Sequence, residues 1–507
     1  MMFAQRLLPT AMLAILAGAF SSIGSAARAE EQCAPEQGSR WPQFRGPDGQ
    51  SLASESKIPS EWSQEKNVAW KIDVPGTGWA SPIIWEDKLF IATAVTENQP
   101  KPSARGAGGP GGPGGPGRGE GRGPGGEGDG PRGNRGGNDG PGAPGDGDRP
   151  RGPGGEGRRG RGPGGGRDNA PPQAVYRWEL LCLDTKSGKE IWKKVALERK
   201  PTIPTHSTNT YASETPVTDG KHIFVYFGMI GLFCIDFDGN IVWQKDLGVY
   251  PMMNGWGTGS SPVLVGDHLI IQCDNEESSF IVGLDKKTGE EAWRKPRSEK
   301  STWSTPFVWT HHGKTDVVAL GEKKILGYEP ATGKENWEIP GIGARCSSSP
   351  AATDDLLVVG GGGGMRGSGP LLAVNVKAAE GMENANVAWK KDNAGPPMAS
   401  PLLYNGHVYV LEQRGGMISC FDAKTGEQVY YRQRLANARG FTSSPWASDG
   451  KVFCLDQDGQ TYVVEAGPKF KLLGVNELDE MCWSSPAIAN DTLYLRTVEH
   501  LYCIRNQ

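Results

Sequence analysis

LDTKSGKEIW at residues 183–192, IDFDGNIVW at 235–243, LDKKTGEEAW at 284–293 and YEPATGKENW at 328–337 are one pattern written four times. In each, an apolar stretch ends at an acidic residue, a glycine follows within a short polar link, and a tryptophan comes four residues after the glycine. Gly188, Gly239, Gly289 and Gly333 stand at that step before Trp192, Trp243, Trp293 and Trp337. The acid–glycine link reads as a tight turn between two strands, and the tryptophan as a residue of the second strand. A large flat ring at one repeat position, on the outermost strand, packs onto the turn of a neighbouring unit and closes the gap between twisted sheets.

Working outward, each pattern lies between dipeptides of a second kind. Ser81-Pro82, Thr215-Pro216, Ser261-Pro262, Thr305-Pro306, Ser349-Pro350, Ser400-Pro401, Ser444-Pro445 and Ser485-Pro486 set eight registers, and from the second onward their prolines are 46, 44, 44, 51, 44 and 41 residues apart. After each proline comes an apolar strand, then a turn such as Asp219-Gly220, Gly266-Asp267, Asn405-Gly406 or Asp449-Gly450, then a β-branched and aromatic strand. A period of this length filled with four short strands is the signature of propeller blades. The expected fold is all-β, an eight-bladed β-propeller of four-stranded antiparallel blades. Tyr430 takes the tryptophan position in the sixth blade, and Trp389 arrives late, after an insertion. The last register has room for three strands only, whereas NVAWKIDV at 67–74 is an orphan strand carrying Trp70. The N-terminal strand is therefore expected to complete the last blade, which also removes exposed sheet edges.

Residues 1–29 read as a secretory signal, with Arg6 before an apolar run and Ala27-Arg28-Ala29 at its end. The run is too short to span a bilayer. Residues 30–66 form an N-terminal lead, and 67–507 the propeller, so the mature chain is expected to be exported, periplasmic or extracellular, and soluble, with no transmembrane segment. A Gly/Pro/Arg-rich stretch at 104–170 interrupts the first blade between its second and third strands. From Arg105 to Asp168 it carries eleven arginines and eight acids and almost nothing apolar, and it reads as disordered. Interspersed acids, missing aromatic rings and a formal net charge of −4 for the chain speak against a nucleic-acid partner.

Of nine cysteines, Cys182, Cys234, Cys420 and Cys503 share one repeat position inside apolar runs, which makes them small buried hydrophobes, while Cys33, Cys346 and Cys482 are open. His222, His268, His311, His312 and His407 fall in or beside hairpin turns, where they are expected to be solvated and mutually distant. His206, in TIPTHSTNTYASETP, is the histidine expected at the mouth. No metal ligand set and no catalytic residue emerges. The string Gly362–Gly367 matches G-x-G-x-x-G, but no helix follows it, so it is not a dinucleotide fingerprint. Residues just before each Ser/Thr-Pro converge on the axis of a propeller. They make a candidate ligand or partner mouth of Trp79, His206, Tyr211, Asn254, Trp256, Trp303, Arg345, Arg439 and Trp483, with Cys346, Met398 and Phe441 beside them. Trp70, Trp192, Trp243, Trp293, Trp337 and Trp389 are the structural docking rings.

The acidic-x-x-[TS]-G-x-x-x-W pattern resembles the tryptophan-docking repeats of the pyrroloquinoline-quinone-like (PQQ-like) propellers. That family includes quinoprotein dehydrogenases and the outer-membrane assembly lipoprotein. WPQFRGPDG, residues 41–49, is similar to the start of many exported propellers of this type. The dehydrogenase likeness implies PQQ on a tryptophan floor, Ca²⁺ held by Glu, Asn and Asp, and often a disulfide of adjacent cysteines, a pair this sequence lacks. Asn254 and Trp256 in MMNGWGTGSSP would then imitate ligand and floor. The lipoprotein likeness implies no cofactor and a scaffold whose loops bind an envelope protein, although the lipidation cysteine of that protein has no counterpart. The expected function is a non-catalytic, protein-binding or assembly scaffold. The alternative is a PQQ- and Ca-dependent alcohol or aldose dehydrogenase. A small-molecule ligand is compatible with either, and oligomeric state is not legible.

Overall fold

The computed structural model describes residues 39–53, 56–102, 170–343, 345–362, 368–376 and 385–507. The proposed signal, the insertion up to residue 169, Cys33 and Gly363–Gly367 of the glycine string lie outside them. Eight antiparallel sheets are arranged as the blades of an eight-bladed β-propeller. Their inner strands are Ile83–Trp85, Val217–Thr218, Val263–Val265, Phe307–His311, Ala351–Ala352, Leu402–Tyr404, Trp446–Ser448 and Ala487–Ala489. Hairpin turns use the anticipated residues: Gly220, Gly266 and the pairs Asn405-Gly406 and Asp449-Gly450 all have positive φ.

The last blade joins Ala487–Ala489, Thr492–Arg496 and His500–Ile504 to the N-terminal strand Val68–Asp73, with Trp70 opposite Cys503. The first sheet differs from the sequence reading in having a fifth strand, Arg40–Trp41, on its inner edge. That extra strand starts a run across one end of the axis. Pro42 O accepts the Thr218 amide, Gly49 lies against the Phe307 ring, the Gln50 side chain exchanges two hydrogen bonds with the Ala352 backbone, and Ser51 and Ala53 pair with Ala447. Arg45 is wholly buried at the centre, donating to Pro350 O at 2.6 Å, Pro401 O at 2.9 Å and Ser51 Oγ at 3.2 Å. Burial pulls its pKa down to about 10, against the attraction of Asp48. The lead thus plugs the channel at the end where the hairpin turns lie.

The outer-strand rings sit over the next blade's turn. Trp70 N–H donates to Thr185 O, Trp192 to Phe237 O, Trp243 to Lys286 O, Trp293 to Pro330 O and Trp389 to Ala423 O. Each lies on a turn glycine: a Cβ on Gly333 would come within 2.4 Å of the Trp293 ring. Trp337 departs from the expected pattern. Its N–H turns to Asp316 Oδ2 of its own blade. Across the ladder from each ring stands a small residue: Cys182, Cys234, Gly283, Gly327, Ala373 or Cys503. A Cβ at Gly327 would meet Trp337 at 2.1 Å, which explains why bulk is excluded there and why cysteine recurs. Blade seven has Gly474 at the tryptophan position. Trp62 of the lead stacks on Phe453 of this blade, with its amide bonded to Asn476 and its ring packed in the core shared with blade eight.

Eight described cysteines are free and buried. Burial pushes the Cys182, Cys234, Cys273, Cys346, Cys420 and Cys503 thiols up to about 12. Ellman's reagent should therefore find none of the eight in the native chain and all of them in guanidinium, and early labelling of any would show that the blades are looser than drawn.

The Ser/Thr-Pro repeat has its own use. Proline holds the preceding residue extended, and each Ser/Thr hydroxyl then accepts the amide of its counterpart one blade earlier. Ser81 bonds to Thr215, Thr215 to Ser261, Ser261 to Thr305, Thr305 to Ser349, Ser349 to Ser400, Ser400 to Ser444 and Ser444 to Ser485, at 2.9–3.1 Å. These bonds stitch seven of the eight seams around the axis, each contributing about 1 kcal/mol.

Candidate functional site

The inter-blade loops that lead into the inner strands meet at the other end of the axis. Thr96 and Tyr176, the strand ends that flank the insertion, lie on this same side. Aromatic residues here form an arc, half-buried except for Trp79, which is buried. Trp483 stacks on Trp79 with ring centroids 5.7 Å apart; the Trp79 N–H donates to Thr208 O; His206 Nδ1 is 2.8 Å from Thr208 Oγ1; and His206 meets Trp256 edge-on at 6.1 Å, with Trp303 5.8 Å beyond. Burial lowers the His206 pKa, so its ring is held neutral more readily than a free one. Tyr211 lies under the arc, its hydroxyl on Ile203 O and its ring edge against Tyr176 and Trp178.

Five blades' worth of the candidate mouth is thereby brought together. The others differ. Asn254 is exposed on a short turn, with φ at +52°. Arg345 is 2.6 Å from Glu276 and 3.6 Å from Glu322, and Arg439 is 3.0 Å from Asp458. Cys346 and Phe441 are buried in the cores of their blades and contribute no surface. The histidine expectation needs correction as well. His311 is 1% exposed, stacked on Trp309 with Nε2 2.8 Å from Asp316, and its neighbour His312 is 6.0 Å away. The inner strand of this blade, Phe307–His311, extends through His311 and carries its ring inward.

Sequence reasoning missed four buried charged side chains on this side. Arg297 and Asp274, each fully buried, form a two-point ion pair with Nε–Oδ1 at 2.8 Å and Nη2–Oδ2 at 3.2 Å. Glu214 is fully buried, its Oε1 has no hydrogen-bond partner, and burial pushes its pKa up to about 7 against the pull of Thr258. Arg496 is buried beneath Gly78, donating to Ala92 O at 2.6 Å. Only the apolar or glycine-rich strings around them were signals, and those do not mark a charge as buried.

The residues present do not suit a quinone with calcium. Ca²⁺ takes six to eight oxygens, yet Glu276, Asp274 and Asp458 each face an arginine. The two best-formed cavities are water-sized, one beside the plug at Phe44 and Phe307, the other between Tyr226, Gln272 and Thr302. Among the described residues, one cluster has metal-binding chemistry: Glu480, Glu499 and His500, at blade eight. Lys101 is bonded to Glu499, and Glu480 and Asp73 hold the two nitrogens of His500, so those groups already partner one another.

Solved propellers are similar in fold. BamB from Moraxella catarrhalis is 13% identical, with 67% of this chain and 90% of that chain covered and a TM-score of 0.47. The quinohemoprotein alcohol dehydrogenase of Comamonas testosteroni is 10% identical, with 92% and 80% covered and a TM-score of 0.49. A europium-containing methanol dehydrogenase is 10% identical, with 93% and 98% covered and a TM-score of 0.50. No curated protein matches the chain. The family model described as outer membrane protein assembly factor BamB matches residues 177–410 and 374–467, which together take in more than half of the sequence, and the chain belongs to that family.

Proposed function

We propose that this protein is an exported, non-catalytic scaffold of the cell envelope whose aromatic mouth docks a protein partner. The observation that carries the reading is the contrast between the two ends of the axis. One end is filled by the lead around Arg45, while the other presents Trp256, Trp303 and Trp483 only partly covered, with Arg345 and Arg439 already matched to acids. Aromatic rings on a rigid rim are the residues that dominate protein interfaces. Membership of a family named for an assembly factor supports the same reading, and no helix of the described residues is long and apolar enough to cross a membrane.

Two measurements test it. A photo-crosslinking residue at position 256 or 483 should capture one and the same envelope protein, and the same residue at Val242, exposed on an outer strand, should not. Titration with PQQ and Ca²⁺ followed by dye-linked alcohol and aldose oxidation should give neither tight binding nor turnover. Calcium-dependent binding with turnover would replace the scaffold by a quinoprotein dehydrogenase.

A further inference from the structure

We propose that Glu214 is a proton-operated latch of the mouth: while it carries its proton the loop that bears Trp256 is held, and when the proton leaves that loop is released. As a control on docking, this rests on the reading above. Glu214 directly precedes the Thr215-Pro216 step and is buried beneath the rim, where its Oε1 has no hydrogen-bond partner. Thr258 of the Trp256 loop lies against it. A Cβ placed on Gly228 would stand 2.0 Å from Thr258 Oγ1 and 3.0 Å from Glu214 Oε1, so the two crowd one glycine. Thr258 ends the short stretch from which this half of the mouth hangs. The Asn209 side-chain amide donates to Trp256 O at 2.9 Å and to Thr258 O at 3.1 Å, the Trp303 N–H donates to Gly257 O at 2.7 Å, and His206 meets the Trp256 ring edge-on. The placing of Trp256, Trp303 and His206 therefore depends on where Thr258 stands.

The groups that face Glu214 leave its charged form without support. Thr258 faces it from the loop and Tyr226 from the strand His222–Tyr226, with Cys273 behind Tyr226, and burial keeps both Tyr226 and Cys273 protonated. No cation acts on it. Asp274 and Arg297, on the same side, are closed on each other. A carboxylate at this position has burial against it and no counter-charge, and water is the relief within reach. The water-sized cavity between Tyr226, Gln272 and Thr302 also has the half-buried Thr258 and Gly259 in its wall, and the Gln272 Oε1 there is buried with no partner. Moving Thr258 aside brings water to Glu214 and unseats the carbonyls that Asn209 and Trp303 hold. The carboxyl, raised to about 7 by burial, does this in the neutral range.

Hydrogen exchange of the peptide spanning residues 252–261 is the readout, because its Gly255 and Trp256 amides are bonded to Met252 O and Met253 O and exchange only when the loop opens. Each pH is compared with Glu214→Gln at the same pH, which cancels both the intrinsic chemistry of exchange and the titration of His206. Relative to that variant, exchange in the parent should grow about tenfold from pH 6 to pH 8, the factor that proton linkage gives for a carboxyl at about 7 in the closed loop and 4.5 in the open one. The outer-strand peptide over residues 241–245 should show no such growth. An equal growth there would overturn the latch, since ionisation would then loosen the whole fold, and so would a ratio at 252–261 that stays level with pH. Should Glu214→Gln not fold, the ratio of mouth to outer-strand exchange in the parent carries the same test. No partner protein is involved, so a failed latch leaves the crosslinking test of the docking reading untouched, and a failed crosslink leaves the exchange result standing.

Discussion

Arg297→Ala should lower the free energy of unfolding by about 3–5 kcal/mol, the usual cost of removing one member of a buried ion pair. Asp274 would then be left as a carboxylate fully out of water. Its oxygens would retain only the Gln272 amide at 2.7 Å and the Thr302 hydroxyl at 2.9 Å. Arg297 also donates to Leu320 O and Tyr328 Oη of blade four, so the guanidinium ties the end of blade three to its neighbour. Removing both charges together, as Asp274→Leu with Arg297→Met, should cost distinctly less than the single change, because no charge is stranded. Urea unfolding of the two single variants and the pair measures this. Equal losses in the single and double variants would mean that the damage comes from lost volume and not from an unpaired charge.

The second large effect depends on pH. Glu214 has its folded pKa raised to about 7 from the ordinary 4.5. Between those values the folded chain binds a proton that the unfolded chain has released, so the stability contribution is fully present below about 4.5 and is lost as pH rises through about 7. A shift of this size corresponds to about 3 kcal/mol. Glu214→Gln keeps the shape and removes the titration. The parent should therefore weaken relative to this variant from pH 5 to pH 8, with the gap reaching about 3 kcal/mol in urea unfolding. A gap that does not change with pH would mean that Glu214 is ionised in the fold and that its unpartnered oxygen finds a donor.

The fold was legible because its signals are local. A Ser/Thr-Pro step and a glycine four residues before a tryptophan each report on one turn, and their repetition counts the blades. The closure by Val68–Asp73 was legible for a related reason: three strands were short of a set of four, and one lay unused. What stayed hidden depends on residues far apart in the chain. Arg45 reads as one charge in a proline-rich turn, and only the axis, where Pro350 and Pro401 turn their carbonyls inward, makes it a centre of bonding. Trp62 lacks the glycine offset because it serves blade seven from outside the repeat. Arg345 reads as an anion receptor until Glu276, in the blade before, is placed beside it. Trp337 and His311 share a cause: Asp316 draws both inward, and nothing in the turn pattern announces that acid.

The strand that completes blade eight carries a consequence for synthesis. Val68–Asp73 leaves the ribosome long before its ladder partner, His500–Ile504, is made. Throughout elongation the early strand waits with an open edge, and the growing stack of blades has nothing to close against. Contacts between such distant segments are the slowest to form, so the ring is completed in a single late step. A chain cut short anywhere before His500 stays an open arc with a free sheet edge at each end, exposed to aggregation and to the cell's proteases.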